Sequence, residues 1–368
     1  MERGEGAVDR GFLLLLGGMV LFGLVMLTSA SFPLGLSKFG NGYYYLIHQV
    51  IFGLLPGLVG FAIAYKLPYT IYRRYAGAML FVSIALLLLV FIPGIGQEFG
   101  GSRSWIMIGS FSMQPSEIVK LTFMFYLAGW LEKRSQHELK DFSQGVLPFL
   151  CVLGVVAFFL IQQPDTGSMA IIVLMALATY FSAGAPLKYL AGVGVAGAAG
   201  LALLIKLTPY RAARFITFLH PELDPQGVGY HINQALLAIG SGGLFGRGYG
   251  HSLQKFQYLP EVAGDSIFAV IGEELGLLFT WAFLTLNLAF LWRGFKIAER
   301  APDGFGRYLV VGIMTWFGVQ AVVNIGAMVG LLPITGVPLP LVSYGGTALA
   351  VSLTAMGIVA NVSSHAKH

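Results

Sequence analysis

Ten apolar stretches divide this 368-residue sequence, near residues 11–31, 44–65, 76–93, 115–131, 144–162, 168–184, 187–206, 266–291, 308–331 and 344–362. Each is close to the roughly 20 helical residues that cross the ~30 Å hydrocarbon layer of a bilayer. The runs are continuously apolar where a membrane barrel would alternate, so the fold class predicted is an all-α polytopic membrane protein with ten transmembrane helices. Composition agrees, since 56% apolar and 11% charged residues exclude a soluble globular domain.

Basic residues set the expected orientation. With the N-terminus cytoplasmic, that side receives Arg3, Arg10, Lys66, Arg73, Arg74, Lys133, Arg134, Lys140, Lys188, Arg293, Lys296, Arg300, Arg307 and Lys367, 14 of the 22. The positive-inside rule then places both termini in the cytoplasm. The first span reads as an uncleaved helix, because its apolar run is too long for a signal core and no small-residue cleavage site follows. Cys151 is the single cysteine and forms no internal disulfide. The net charge of +5 comes largely from the inner loops, which fits contact with anionic membrane lipids and not with nucleic acid.

The chain reads as one transmembrane domain over residues 1–368, with one long extracytoplasmic loop, 207–265, between the seventh and eighth spans. A structureless loop of that length is unusual unless functional. Within it, His231 to Ile239 reads as a short amphipathic helix, followed by the glycine run Gly240 to Gly250. Other outer segments are short and polar: Pro93 to Ser116, Gln162 to Gly167 and Pro333 to Gly346. The working surface is therefore expected outside.

Ionised groups at membrane depth are costly and mark wet cavities, partner charges or substrates. Asp265 stands where the eighth span begins, placed to cap that helix as well as to react. Glu273 and Glu274 fall about 12 Å deeper along a helix axis and read as buried structural groups. In Gln114-Pro115-Ser116-Glu117-Ile118-Val119-Lys120 the helix opens at Pro115 or Ser116, and Glu117 and Lys120 share a face and can pair. A lysine one turn inside the apolar layer points to an anion site. Arg103, in Gly101-Ser102-Arg103-Ser104-Trp105, suits bidentate phosphate contact, and Trp105 suits an interface anchor. Asp165 either caps the next helix or orients such a cation. Arg211 and Arg214 lie on one helical face beside the membrane. The glycine run is either a flexible turn or a close backbone approach to a phosphate or sugar.

One reactive carboxylate beside several cations suits glycosyl transfer from a lipid diphosphate. The leaving group is already a good anion and needs positive charge, and the acceptor hydroxyl needs a base. A glycoside hydrolase would need a second facing carboxyl. No His/Cys cluster suggests zinc. A transporter or flippase would string charges across the full membrane depth, whereas here they gather in the outer half. A scaffold would leave the carboxylate and cations unused.

PGIG with GGSRSWI, FSMQPSEIVK, QQPDTGS, the HPELDPQGVGYHINQALLAIGSGGLFGRGYG run, YLPEVAGDSIFAVIGEELG and GLLPITGVPLPLVSYGG follow one another along the chain. In that order the sequence resembles the SEDS proteins (shape, elongation, division and sporulation), represented by RodA and FtsW, with the long run nearer the division branch, FtsW. The resemblance implies a peptidoglycan glycosyltransferase of the bacterial cytoplasmic membrane that uses lipid II and undecaprenyl-diphosphate-linked glycan. It places the family's catalytic aspartate on Asp265, its glutamate and lysine on Glu117 and Lys120, and further cavity positions on Arg103 and Asp165. Ala263-Gly264 stand where the family commonly has His-Thr. Arg103, Lys120, Arg211 and Arg214, with a divalent cation such as Mg or Mn and no organic cofactor, are expected to hold the diphosphate. The implied partner is a class B penicillin-binding protein, a transpeptidase.

Overall fold

The computed structural model describes residues 7–99, 102–108, 111–224 and 227–366; Arg3, Lys367, Gly101, Pro225 and Gln226, used in the readings above, lie outside the described residues. The main helices are α1 (Arg10–Phe39), α2 (Tyr44–Lys66), α3 (Thr70–Arg74), α4 (Ala76–Leu89), α5 (Pro115–Glu132), α6 (Phe142–Gln162), α7 (Thr166–Ser182), α8 (Leu187–Leu207), α9 (Pro209–Leu219), α10 (Val228–Ser241), α11 (Ile267–Glu299), α12 (Gly304–Met328) and α13 (Gly346–Ser364). Each predicted apolar stretch lies on one of them. Among the described residues seven, α1, α2, α6, α8, α11, α12 and α13, are long and apolar enough to cross a bilayer, while α4 and α7 are apolar but shorter. The chain is thus an all-helical, multi-span membrane protein. None of α8 is buried by protein, although it is apolar throughout. Such a helix is stable only where hydrocarbon is the solvent.

α1 and α11 run antiparallel and are fastened at two heights. Arg293 Nε donates to Asp9 at 2.9 Å at one end, and Ser29 Oγ donates to Glu274 at 2.7 Å at the other. Between these bonds the contacts are apolar, with Phe12 stacked on Phe290 and Phe22 on Phe283. Some twenty residues separate the bonds on each helix, about 30 Å at 1.5 Å per residue, which is the thickness of the hydrocarbon layer. With the N-terminus cytoplasmic, as expected, a hydrocarbon layer bounded by these two bonds would put Glu273 and Glu274 at its outer edge.

The eighth predicted span is not one continuous helix. Gly276 has φ 72° and ψ −178°, which breaks α11 into an outer half and a longer inner half. A side chain there is excluded twice, by the positive φ and because a Cβ would lie 2.6 Å from the Phe245 carbonyl carbon. The backbone groups freed by the break pair with the glycine run. Leu277 and Leu278 donate to Gly243 O and Leu244 O, and Arg247 and Gly248 donate to Glu273 O and Glu274 O.

The short polar segment from Pro93 to Ser116 contains, within the otherwise helical fold, an antiparallel sheet of β1 (Gly96–Phe99), β2 (Ser102–Ile108) and β3 (Phe111–Met113), in that order. Gln97 faces Trp105 and Ile106 faces Met113 across it. The sequence of β2, three polar residues followed by four apolar ones, has no period-2 alternation to announce a strand. The long loop is likewise structured, and its expected short helix is α10.

Candidate active site

The turn from Leu259 to Ser266 connects the glycine-rich segment to α11 and carries Asp265. Its backbone doubles back on Glu261, whose carbonyl accepts from Gly264 N at 2.9 Å and Ser266 N at 3.2 Å. Glu261 itself adopts φ 46°, unusual for a residue with a side chain. Strain of this kind persists only where surroundings over-determine the backbone, and here they do. Three successive carbonyls are held from one side: Ala263 O by Tyr344 N at 2.8 Å, Gly264 O by Ser343 Oγ at 2.6 Å and Asp265 O by Asn324 Nδ2 at 2.7 Å. From the other side Ser266 Oγ donates to Pro260 O at 2.7 Å and lies 2.5 Å from His231 Nε2 on α10. The direction of the His231–Ser266 bond depends on the imidazole tautomer.

Asp265 does not cap α11. The capping position is Ser266, and Asp265 Oδ1 is buried without a hydrogen-bond partner. That oxygen is an acceptor held in place and left unused. Asp265 lines a narrow crevice with Asn324, Met328, Thr335, Gly336 and Val337. Asp265 is 8% exposed, so the crevice as seen is closed over the carboxylate.

Burial pushes the Asp265 carboxyl up to about 7, with the negative charge of Glu261 adding to the effect; Arg214 and the Ser266 hydroxyl pull the other way. Burial, and then Arg214, push His231 down to about 4, which keeps its imidazole neutral. A carboxylate that is deprotonated only near neutrality is matched to accepting a proton there.

Of the remaining predicted residues, Arg214 is the one whose charge acts on this carboxylate. Glu117 and Lys120 pair at 2.7 Å, but Lys120 is fully buried and also donates to Gln320 Oε1 at 2.7 Å and lies over the Trp316 ring. Its ammonium is thus occupied inside the bundle and does not face an open anion site. Asp165 caps α7 through Ser168 N at 3.0 Å and accepts from Ser116 Oγ at 3.0 Å and Gln114 Nε2 at 3.2 Å, fixing the outer ends of α5 and α7 together. The capping reading holds. Arg103 is half-buried on β2 with no hydrogen bond or ion pair among the described residues. Arg211 donates to Ile161 O at 2.9 Å and Thr208 Oγ1 at 3.2 Å, which ties it to the end of α6, so the two arginines of α9 do not serve one site. Arg214 acts on both Asp265 and His231. The glycine-run amides of Arg247 and Gly248 are engaged by α11 carbonyls and do not cradle a phosphate.

Glu273 and Glu274 are structural, as expected, although most of their partners lie in the long loop. Glu273 accepts from Ser252 Oγ at 2.6 Å and Leu253 N at 2.9 Å, and Glu274 pairs with Lys255 at 2.8 Å. Among the described residues no three His, Cys, Asp or Glu side chains converge on a metal position. One free carboxylate oxygen falls short of the oxygen set that a divalent cation needs, so the protein groups present do not form such a site by themselves.

Sequence reasoning overlooked Gln320 and Asn324. Their signal was an amide pair four residues apart on one face of an otherwise apolar span. His231, Ser266 and Ser343 carried no comparable mark.

Residues 10–368 match the profile of the FtsW/RodA/SpoVE family, described as cell cycle proteins. The chain is 39% identical over 359 residues to the probable peptidoglycan glycosyltransferase FtsW of Trichlorobacter lovleyi, covering 98% of this chain and 94% of that one. It is 38% identical over 350 residues to the stage V sporulation protein E of Bacillus subtilis, covering 95% of each. Among solved structures, the rod shape determining protein RodA of Thermus thermophilus superposes with a TM-score of 0.71 at 27% identity, covering 98% of both chains. A chain from a peptidoglycan synthase complex, solved for the coordination of polymerization and crosslinking, gives 0.78 at 28% identity over 97% of this chain and 98% of that one.

Proposed function

Because the chain belongs to the FtsW/RodA/SpoVE family, we infer that it is a peptidoglycan glycosyltransferase that joins lipid II disaccharides through β-1,4 bonds, with Asp265 as its general base. The observation that carries the assignment of the base is the buried, unpartnered Asp265 Oδ1 in a turn anchored on both sides. Asp265 precedes Glu274 by nine residues of α11 and its N-terminal turn, so it stands up to about 13 Å above the outer hydrocarbon boundary. Headgroups occupy roughly the first 5–7 Å of that distance. The carboxylate is thus at the height of sugars carried on a membrane-embedded diphosphate.

In this reading Asp265 accepts the proton of the acceptor 4-hydroxyl as that oxygen attacks the anomeric carbon of the lipid-linked donor, inverting it, while the diphosphate leaves as an anion. Arg214 is the cation that acts on this carboxylate; Arg103 remains a candidate for the diphosphate, and the Glu117–Lys120 pair and Asp165 hold the helix ends that shape the cleft. Any Mg or Mn ion would be held mainly by diphosphate oxygens. Substrate access requires the non-helical segment around Thr335–Val337 to move off the carboxylate, which is nearly fully covered and whose crevice admits no sugar ring. Ten spans with both termini in the cytoplasm of a bacterial inner membrane, and a class B penicillin-binding protein as partner, complete the proposal. Likeness to a chain of a peptidoglycan synthase complex supports the last point.

Purified protein given labelled lipid II should lengthen glycan without a second transferase; no polymer under conditions that activate its relatives would refute the assignment. The rate should rise with pH and level off above about 7, because below that value Asp265 already holds the proton it must accept. A profile without an acid limb would exclude Asp265 as the base. Arg214→Ala removes a charge that favours the ionised carboxylate, so it should move that limb to higher pH as well as raise KM for lipid II.

A further inference from the structure

The glycine-rich segment from Gly243 to Tyr258, counted above as part of an extracytoplasmic loop, carries six large apolar or aromatic side chains on its outside: Leu244, Phe245, Tyr249, Leu253, Phe256 and Tyr258, each about half exposed or more, with Phe245 at 73%. Such a density on a sixteen-residue hairpin in water is an aggregation hazard. Its position in depth offers the solvent that covers it. Tyr249 Oη donates to Val25 O of α1 at 2.9 Å. Val25 lies four residues to the cytoplasmic side of Ser29, whose bond to Glu274 marks the outer boundary, hence about 6 Å inside the hydrocarbon. The side chains of α1 at this level, Leu21 and Val25, are themselves exposed and apolar.

We propose that the Gly243–Tyr258 hairpin is inserted into the outer leaflet of the bilayer, with its apolar rim facing lipid hydrocarbon directly below the turn that carries Asp265. Irregular backbone survives at such depth only where its polar groups are satisfied internally, and this hairpin meets that requirement on its inner side. Gly243 O, Leu244 O, Arg247 N and Gly248 N are paired with the broken part of α11. Lys255 Nζ, nearly fully buried, donates to Glu274, Ser29 and Gly250 O, and the amides of Ser252, Leu253 and Gln254 donate to the two glutamates. The Arg247 guanidinium lies 3.6 Å from Glu273, at the boundary where a long cationic side chain can reach the headgroups. The buried ionic cluster thus lets a polar-backbone hairpin present an apolar face to lipid.

The test uses the full chain reconstituted in phosphatidylcholine–phosphatidylglycerol vesicles. In a Cys151→Ala background, single nitroxides are attached at Leu244→Cys, Phe245→Cys and Phe256→Cys, with Leu21→Cys on α1 as the lipid-facing control and Glu222→Cys as the aqueous control. The ratio of collisions with oxygen to collisions with a water-soluble nickel chelate should be several-fold greater at the hairpin positions than at Glu222→Cys and approach that at Leu21→Cys. A ratio equal to or below the aqueous control overturns insertion. The unsubstituted protein gives a second measure: Tyr249 and Tyr258 should be modified by a bilayer-soluble carbene reagent and spared by an aqueous one, and the reverse pattern overturns the proposal.

Discussion

Asp265→Asn is expected to yield a protein that folds, reaches the membrane and binds lipid II, yet polymerises it about 10²- to 10⁴-fold more slowly, the range lost with a general base. The amide keeps the shape of the carboxyl and its place in the crevice but cannot take the acceptor proton. Stability should change in the opposite sense. The folded-state pKa of about 7 lies above the ordinary 3.8, so the folded protein binds this proton more tightly than the unfolded chain. Linkage then removes stability as pH rises from about 3.8 through about 7, by up to roughly 4 kcal/mol when ionisation is complete. Asparagine carries no such penalty. The variant should therefore melt higher than wild type at alkaline pH, and the gain should fade as pH falls below neutral. Thermal unfolding in detergent at several pH values, beside the lipid II assay, checks both halves. A variant that remains active, or that is destabilised at alkaline pH, contradicts the view of Asp265 as a buried carboxylate kept for chemistry.

Lys120→Met should be the most destabilising single change among the polar residues of the bundle. Glu117 would lose its cation in the protein interior, where one of its oxygens already lacks a partner, and Gln320 would lose a donor. Removing one member of a buried pair typically costs about 3–5 kcal/mol, enough to deplete the folded protein in the membrane. Glu117→Gln combined with Lys120→Met removes both charges and should recover a large part of that loss. Folded yield and thermal midpoint of the three proteins decide the matter. Equal losses in the single and double variants would show that Lys120 acts elsewhere than through Glu117. Recovery of folding without recovery of polymerisation would separate the pair's structural part from any part in catalysis.

The places of the apolar helices were legible because bilayer thickness imposes long apolar runs on the sequence, although α1 and α11 run beyond the predicted bounds and α11 is broken. The Glu117–Lys120 contact was legible because three residues along a helix bring side chains together. What escaped depended on distant segments. Gly276 reads as one more glycine in an apolar run until Gly243 to Gly248 are laid against it. Lys120 looked available to an anion because Gln320 and Trp316 lie some 200 residues away. Asp265 announced itself as a charge at the start of an apolar run, whereas the groups that fix it, Asn324, Ser343 and His231, came from helices and loops with no visible relation to it. The sheet was missed because its strands are short and their polar and apolar residues do not alternate.

The two polar fastenings between α1 and α11 make the pair a rigid strut of fixed apolar length. A membrane thicker or thinner than that strut must be met by tilt or by deformation of the lipid. Either response would shift the turn that carries Asp265 vertically against any substrate whose phosphates float with the headgroups. On the proposed reading, activity in vesicles of different acyl-chain length should therefore be greatest where the hydrocarbon thickness matches this apolar length.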